Sequence, residues 1–146
     1  MSMKFFFVAL LMLGHTTTAS ADALIQSESD LVTYVRDLPN NSPLQRLSAE
    51  DLADFTASMT FNKSGLTGFK YTALIGLSVS EAHAILSIFG ADHLAARVPG
   101  LKIESKLDAE LVERYAQRGE TDHFEYACVD RATCRSHSQH ICMSGC

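Results

Sequence analysis

Four cysteines and two histidines near the C-terminus are the residues of this chain best suited to chemistry. The last residues read CVDRATCRSHSQHICMSGC, and this segment contains all four cysteines of the 146-residue chain. They are Cys128, Cys134, Cys142 and Cys146. His137 and His140 lie between the second and the third of them. Thiols and imidazoles in one short segment are compatible with two disulfides, with a metal site, or with a catalytic thiol beside an imidazole.

The N-terminal segment bears on this choice because it predicts the compartment of the protein. Residues 1–21 begin with one charge at Lys4, continue with an apolar run from Phe5 to Leu13 and end with small residues. This order is typical of a cleaved secretory signal peptide. The run is much shorter than the ~20 apolar residues that a membrane-spanning helix needs. We therefore expect residues 1–21 to be removed and the chain from Asp22 onward to be exported, to the periplasm or the medium, without membrane insertion after cleavage.

Export favours disulfides over the other two chemistries, because disulfides persist in oxidising compartments and free thiolates do not. The spacing C-x5-C-x7-C-x3-C also differs from the tight C-x2-4-C pairs of structural zinc sites. An even number of cysteines leaves no thiol over for catalysis. We therefore predict two disulfides. Four cysteines allow three pairings, and the sequence does not distinguish among them.

A metal-binding module is the alternative interpretation of the same segment. Its ligands would be imidazoles and thiolates, namely His123, His137, His140, Cys142 and Cys146. If the cysteines form disulfides, the histidines are left as polar residues on a rigid loop, beside two arginines. These four side chains are then the candidate binding surface, which consists of Arg131, Arg135, His137 and His140.

The charge of the chain limits its partners. The formal net charge is −5, and the loss of Lys4 with the signal peptide changes it to −6. An acidic protein gains nothing from neutralising phosphates and is repelled by anionic head groups. We therefore expect neither nucleic acid nor a membrane surface as partner, but an unknown protein or a small ligand. The sequence indicates no cofactor.

The elements that must position the tail are predicted to be mostly helical. Ser48 and Ser78 each stand three residues before an acidic residue and at the start of an apolar stripe, a pattern typical of a capped helix start. Similar patterns predict helices from about Glu28 to Asp37 and over residues 105–119, and we expect a further helix over residues 91–98, before Pro99 and Gly100 end it. The segment NKSGLTGF predicts a loop because it contains two glycines. Residues 101–104 and 124–128 alternate briefly and predict short extended segments.

These patterns predict a mainly α fold, a small bundle of four or five short helices with at most a minor β element and a disulfide-stapled C-terminal tail. We expect a helical domain over residues 22–119, with a cysteine-rich tail over residues 120–146 packed on it or appended to it. The predicted core consists of Leu31, Val35, Leu52, Phe55, Met59, Ile85, Phe89, Leu107, Leu111 and Tyr115.

The sequence favours a protein that acts by binding over an enzyme. It contains no G-x-S-x-G, H-E-x-x-H, Walker or G-x-G-x-x-G motif. The leading hypothesis is a small exported, disulfide-stabilised helical protein, such as an inhibitor, an immunity-type protein or another envelope or extracellular interaction factor. The alternatives are the metal-binding module and an uncharacterised hydrolase with a site near His83 or His93.

Overall fold

The computed structural model describes residues 23–116 and 121–146. The predicted signal peptide and its cleavage point lie outside these residues. The described part of the chain is a mixed α/β fold, with four α-helices and a four-stranded antiparallel sheet. The prediction of a mainly α bundle is therefore wrong. The sheet is a major element, and its strands come from the predicted loop and from the predicted tail. Within the tail, the extended segment predicted at residues 124–128 is confirmed as part of a longer strand.

The α-helices form where the serine caps predict them. The hydroxyls of Ser27, Ser48 and Ser78 each accept a hydrogen bond from a backbone N–H of the first turn, and Glu81 completes a capping box with Ser78. No helix in the described ranges is both long and apolar enough to cross a membrane. The helices are α1 (Glu28–Arg36), α2 (Ala49–Ala57), α3 (Val79–Ser87) and α4 (Lys106–Ala116).

Two predicted elements take a different form. The helix predicted over residues 91–98 is a shorter 3-10 helix, Asp92–Ala96, bounded by Ala91 and Arg97, whose backbone angles are not helical. The segment at residues 101–104 is not a strand, since it contributes only one isolated bridge, between Lys102 and Ser78. The predicted end of the last helix at Gly119 lies outside the described residues. Two further 3-10 helices are Pro43–Arg46 and Thr72–Leu74.

The sheet joins the middle of the chain to its C-terminus. Its strands are β1 (Thr60–Asn62), β2 (Gly65–Lys70), β3 (His123–Asp130) and β4 (Thr133–Cys142). Their order is β1-β2-β4-β3, so the C-terminal β4 lies between β2 and β3. The cysteine-rich segment is thus part of the sheet, with Gly68 of β2 paired with Cys142 of β4. The loop predicted at NKSGLTGF is the β1–β2 hairpin, whose turn uses the positive φ of Gly65.

The core lies between the helices and the sheet. Most of the predicted core residues are buried or pack against buried ones, but Leu107 is 51% exposed and its prediction is wrong. Leu107 lies in the first turn of α4, on the side that faces solvent. The sequence patterns missed the core residues of the sheet and of the 3-10 helices. Among these are Leu44, Leu66, Phe69, Leu74, Leu94, Ile141 and Met143.

Candidate functional site

All four cysteines form disulfides, as predicted. Cys128 pairs with Cys146, and Cys134 pairs with Cys142, with Cα–Cα distances of 5.8 and 5.9 Å. This is the nested one of the three pairings that the sequence left open. Because all four cysteines are in disulfides, none is available as a catalytic thiol or as a thiolate ligand of a metal.

The Cys134–Cys142 disulfide requires β4 to fold back, since both cysteines belong to that strand. A regular strand would separate two residues eight positions apart by about 26 Å. The register of β3 against β4 explains why Cys134 and Cys142 are nevertheless close. Phe124 of β3 faces Ile141, whereas Tyr126, two residues later, faces Ser136. Four residues of β4, 137–140, therefore bulge opposite a single residue of β3. We call residues 137–140 the His loop, and the disulfide closes its base.

The two disulfides lie next to each other and fasten the end of the β3–β4 hairpin. The Sγ atoms of Cys128, Cys142 and Cys146 all lie within 4.8 Å of one another. The N–H of Ala132, in the hairpin turn, donates to the carbonyl of Cys146 at 2.7 Å. The C-terminus is thereby held against the turn, and the hairpin has little freedom to open.

The His loop is anchored to the rest of the sheet by one carboxylate. Glu125, the β3 residue opposite the loop, has a φ of 66°, and Gln139 has a φ of 62°. The Oε2 atom of Glu125 accepts from the N–H of Gln139 at 2.9 Å, and Oε1 accepts from the hydroxyl of Tyr71. The carbonyl of Gln139 accepts in turn from the N–H of Tyr71 at 2.9 Å. These hydrogen bonds stabilise Glu125 and Gln139 in the left-handed backbone conformation, which is otherwise unfavourable for residues other than glycine.

The same hydrogen bonds shift the acidity of both side chains. The Tyr71 hydrogen bond, followed by that of the Gln139 N–H, lowers the pKa of Glu125 below its ordinary value. The bond to Glu125, with burial and the negative charge, raises the pKa of Tyr71 to about 12. The anchor therefore consists of a carboxylate and a phenol at neutral pH.

The two histidines of the loop lie against each other. The ring centroids of His137 and His140 are 3.9 Å apart. Both Nδ1 atoms approach the carbonyl oxygen of Ser138, at 3.3 Å for His137 and 2.8 Å for His140. The remaining histidine of the predicted metal set, His123, packs against Tyr126 with a centroid distance of 6.0 Å.

A groove of about 520 Å³ lies between the hairpin end and the β1–β2 hairpin. Phe61 and Val129 supply apolar surface, and Lys63 and Arg131 supply positive charge. Asn62 donates to the carbonyl of Gly145 at 2.6 Å and so fixes one side of the groove to the C-terminus. Lys63 was not predicted from the sequence as part of this site. It lies far from Arg131 along the chain, and both residues line the same groove only because β2 pairs with β4.

The candidate binding surface is exposed, and its positive charge extends across the sheet. Arg131, Arg135 and His137 are exposed, and His140 is half-buried. Residues 60–70 and 123–142 together contain four Lys or Arg and three His but only two Asp or Glu. Residues 27–58, in contrast, contain six acidic and two basic residues. The negative net charge of the chain therefore comes mainly from the helical side.

The two histidines considered for a hydrolase lie away from this surface, between helices. The Nε2 atom of His83 is 3.2 Å from the hydroxyl of Tyr115, which donates to Asp92 at 2.7 Å. Burial lowers the pKa of His83, and the negative charge of Asp92 only partly opposes this effect. His93 lies 3.0 Å from the buried carboxylate of Asp122. Both imidazoles thus connect neighbouring elements, and the hydrolase interpretation stays a prediction.

No family model, curated protein or solved structure matches this chain. Any function must therefore be inferred from the geometry of the molecule itself. The double-disulfide hairpin with its exposed basic residues is the feature from which we infer it.

Proposed function

We propose that the protein acts by binding, and that it recognises an anionic protein segment or small ligand with the end of its β3–β4 hairpin. We call this region the stapled face and define it by Lys63, Val129, Arg131 and Arg135. The observation that carries the proposal is that two adjacent disulfides hold exposed basic side chains at the end of a hairpin, where residues 129–133 are all exposed.

Rigidity supports the binding role. A surface that is ordered before its partner arrives loses less conformational entropy on binding, so more of the contact energy appears as affinity. Val129 is 49% exposed, which places an aliphatic group beside the basic side chains. Arginine is enriched at protein interfaces because its planar group can bind carboxylates with two parallel hydrogen bonds. Arg131 and Arg135 are thus suited to a carboxylate-bearing partner.

The charge distribution supports an anionic partner. The helical side repels such a partner, and the stapled face attracts it. This asymmetry would orient the partner during encounter, as charged surfaces do in electrostatically steered association. The acidic net charge of the chain would by itself favour a basic partner, whereas the local charge of the sheet supports an anionic one.

We also propose that the protein is exported. Two disulfides in a small domain are expected in an oxidising compartment. Intact mass spectrometry of the protein from the exported fraction would test this. We expect a chain that starts at Asp22 and gains four hydrogen atoms on reduction, two for each disulfide. A full-length chain confined to the cytoplasm would contradict export.

Affinity capture with charge-reversed variants would test the stapled face. Mature protein carrying a biotin would be incubated with the exported fraction of its source, and bound proteins and small molecules would be quantified by mass spectrometry. Arg131→Glu/Arg135→Glu removes the basic pair. Arg36→Glu/Lys106→Glu makes the same charge change on the helical side, where both side chains are at least 67% exposed.

We expect a partner that the wild type and the helical-side control both capture and that the stapled-face variant loses. Its recovery should also fall as salt rises, because exposed charges are screened over about 10 Å at moderate ionic strength. Equal recovery by all three proteins would contradict the assignment of the surface. Failure of the wild type to capture a protein or a small anionic ligand would contradict the binding function.

A further inference from the structure

We propose that the His loop is a binding site for a divalent transition-metal ion, with Nε2 of His137 and Nε2 of His140 as the protein ligands. The site does not depend on the proposed function, because the stapled face is defined by other residues. It differs from the mixed histidine and thiolate site considered from the sequence, since the cysteines are paired in disulfides.

The hydrogen bonds of the loop fix the tautomer that a metal requires. A carbonyl oxygen can only accept, so the Nδ1 atoms of His137 and His140 must donate to Ser138. In a neutral imidazole the lone pair then resides on Nε2. A metal-binding histidine typically donates its other ring N–H to a carbonyl or carboxylate in this way. Here the single carbonyl of Ser138 holds both imidazoles in the tautomer whose Nε2 atom can bind a metal.

The spacing of the rings allows one ion to reach both. Their centroids are 3.9 Å apart, with an angle of 57° between the ring planes. An ion bonded to imidazole lies about 2.0–2.1 Å from the nitrogen. Side-chain rotation of His137, which is exposed, and of His140, which is half-buried, would bring both Nε2 atoms to that distance from a common point. Water would complete the coordination shell, because the loop projects into solvent.

The backbone of the loop is held in place before a metal arrives. The Cys134–Cys142 disulfide closes its base, and Glu125 and Tyr71 bind its Gln139 peptide from the other side. A loop that keeps Gln139 at a φ of 62° needs such support. The carboxylate of Glu125 binds the N–H of Gln139, the residue before His140, so it adds negative potential near the site.

The ligand type selects the class of metal. Neutral imidazole binds Cu²⁺, Ni²⁺ and Zn²⁺ well, whereas Ca²⁺ and Mg²⁺ prefer oxygen ligands. Among the divalent ions, Cu²⁺ binds nitrogen ligands most strongly. Cu²⁺ and Zn²⁺ are therefore the probes with which the site is best examined, and Mg²⁺ is the negative control.

The experiment uses tag-free, oxidised mature protein, because a polyhistidine tag or free thiols would bind the same ions. Isothermal titration calorimetry would measure Cu²⁺ and Zn²⁺ binding to the wild type, His137→Ala, His140→Ala and the double variant. His123→Ala is the matched control, since it removes a histidine from the same hairpin. We expect one ion per chain, at least about tenfold weaker binding for each single variant, and unchanged binding for the control.

A second measurement on the wild type keeps the test independent of any folding defect in the variants. On addition of Zn²⁺, the ¹⁵N resonances of the two Nε2 atoms should shift, while both Nδ1 atoms keep their protons. With Cu²⁺, electron paramagnetic resonance should show nitrogen couplings from imidazole. Binding by the double variant equal to that of the wild type, or unshifted Nε2 resonances at saturating Zn²⁺, would overturn the site. Neither result would affect the stapled face, which is tested with the arginine variants in metal-free buffer.

Discussion

The hydroxyl of Tyr71, directly after β2, donates a hydrogen bond to Oε1 of Glu125 in β3, across the intervening strand β4. The bond joins a buried residue to an exposed one, since Tyr71 is 5% exposed. Glu125 also binds the N–H of Gln139, so one carboxylate connects all three strands at the point where the His loop leaves the sheet. The bulge is therefore a supported feature of the fold.

Tyr71 should ionise well above the ordinary pH for tyrosine. Its pKa is raised to about 12 by the hydrogen bond to Glu125, by burial and by the carboxylate charge. We expect the tyrosinate absorbance of the wild type to rise in a late step that Tyr71→Phe removes. Glu125→Gln should move this step toward the ordinary value of about 10. Circular dichroism recorded at each pH would show whether the fold persists, and identical titrations of the wild type and Glu125→Gln would contradict the assignment.

Asp108 should make the protein sensitive to acid. This carboxylate is 1% exposed, in the first turn of α4. Burial disfavours its ionised form, but the Ser105 hydroxyl and three backbone N–H groups, including that of Ser80 at 2.7 Å, outweigh burial and hold its pKa well below the ordinary range. A depressed folded pKa stabilises the protein above the unfolded pKa of about 4, and this contribution is lost as the pH falls through the folded pKa.

Denaturant unfolding between neutral and strongly acidic pH would measure this effect. Asp108→Asn should lower the free energy of unfolding most at neutral pH, and the gap to the wild type should narrow below a pH of about 4. Asp54→Asn, an exposed position of α2, is the control and should change stability little. A gap between wild type and Asp108→Asn that stays constant with pH would show that the ionised form is not what stabilises the fold.

The helices could be predicted from the sequence because their signals are local. Ser48 and Ser78 stand three residues from the groups they contact, so the caps are visible in short segments. Among the strands, only part of β3 was predicted, as the extended segment at residues 124–128. Both faces of most of β4 are exposed, which removes the alternation that marks a half-buried strand. The pairing of β2 with β4 depends on contacts between distant parts of the chain.

The candidate site, too, could be predicted from the sequence only where its features are local. The disulfides and the exposed Arg131 and Arg135 followed from cysteine number and polarity. The nested connectivity and the contribution of Lys63 did not, because they depend on how β4 folds back and on which strand it meets. The close approach of His137 and His140 did not follow either, because it depends on the bulge of β4 opposite Glu125.

Gly68 should be essential for the β2–β4 pairing. A Cβ at this position would lie 2.8 Å from the carbonyl oxygen of Ile141, a backbone atom that cannot move without disturbing β4. We expect Gly68→Ala to lower the free energy of unfolding by about 1–3 kcal/mol, as for other overpacked sites. Gly145→Ala is the matched control, because a Cβ there meets nothing within 4 Å. Thermal and denaturant unfolding would measure both variants, and equal stabilities would be incompatible with this packing.

The nested disulfide connectivity can be determined by two cleavages. Trypsin cuts after Arg131 and Arg135 and leaves Cys142 and Cys146 in one peptide. Cyanogen bromide then cuts after Met143 and separates these two cysteines. The connectivity predicts that the tripeptide Ser144-Gly145-Cys146 stays linked to the peptide with Cys128, and that the peptide ATCR stays linked to SHSQHICM. The acidic cyanogen bromide step suppresses exchange, since only thiolates attack disulfides. Any other pair of linked peptides would contradict the structure.

Removal of each disulfide should affect stability and metal binding differently. The chain-entropy model assigns about 2.5 kcal/mol to the shorter Cys134–Cys142 loop and about 3 kcal/mol to the longer Cys128–Cys146 loop. Both cysteines of a pair must be replaced, because one free thiol would lie near the other disulfide and exchange with it. Cys134→Ser/Cys142→Ser opens the base of the His loop and should weaken Zn²⁺ binding. Cys128→Ser/Cys146→Ser frees the hairpin end and should leave Zn²⁺ binding nearly unchanged. Calorimetric titration and denaturant unfolding of the two variants would measure both effects, and equal losses of Zn²⁺ affinity would show that the base of the loop has no special role.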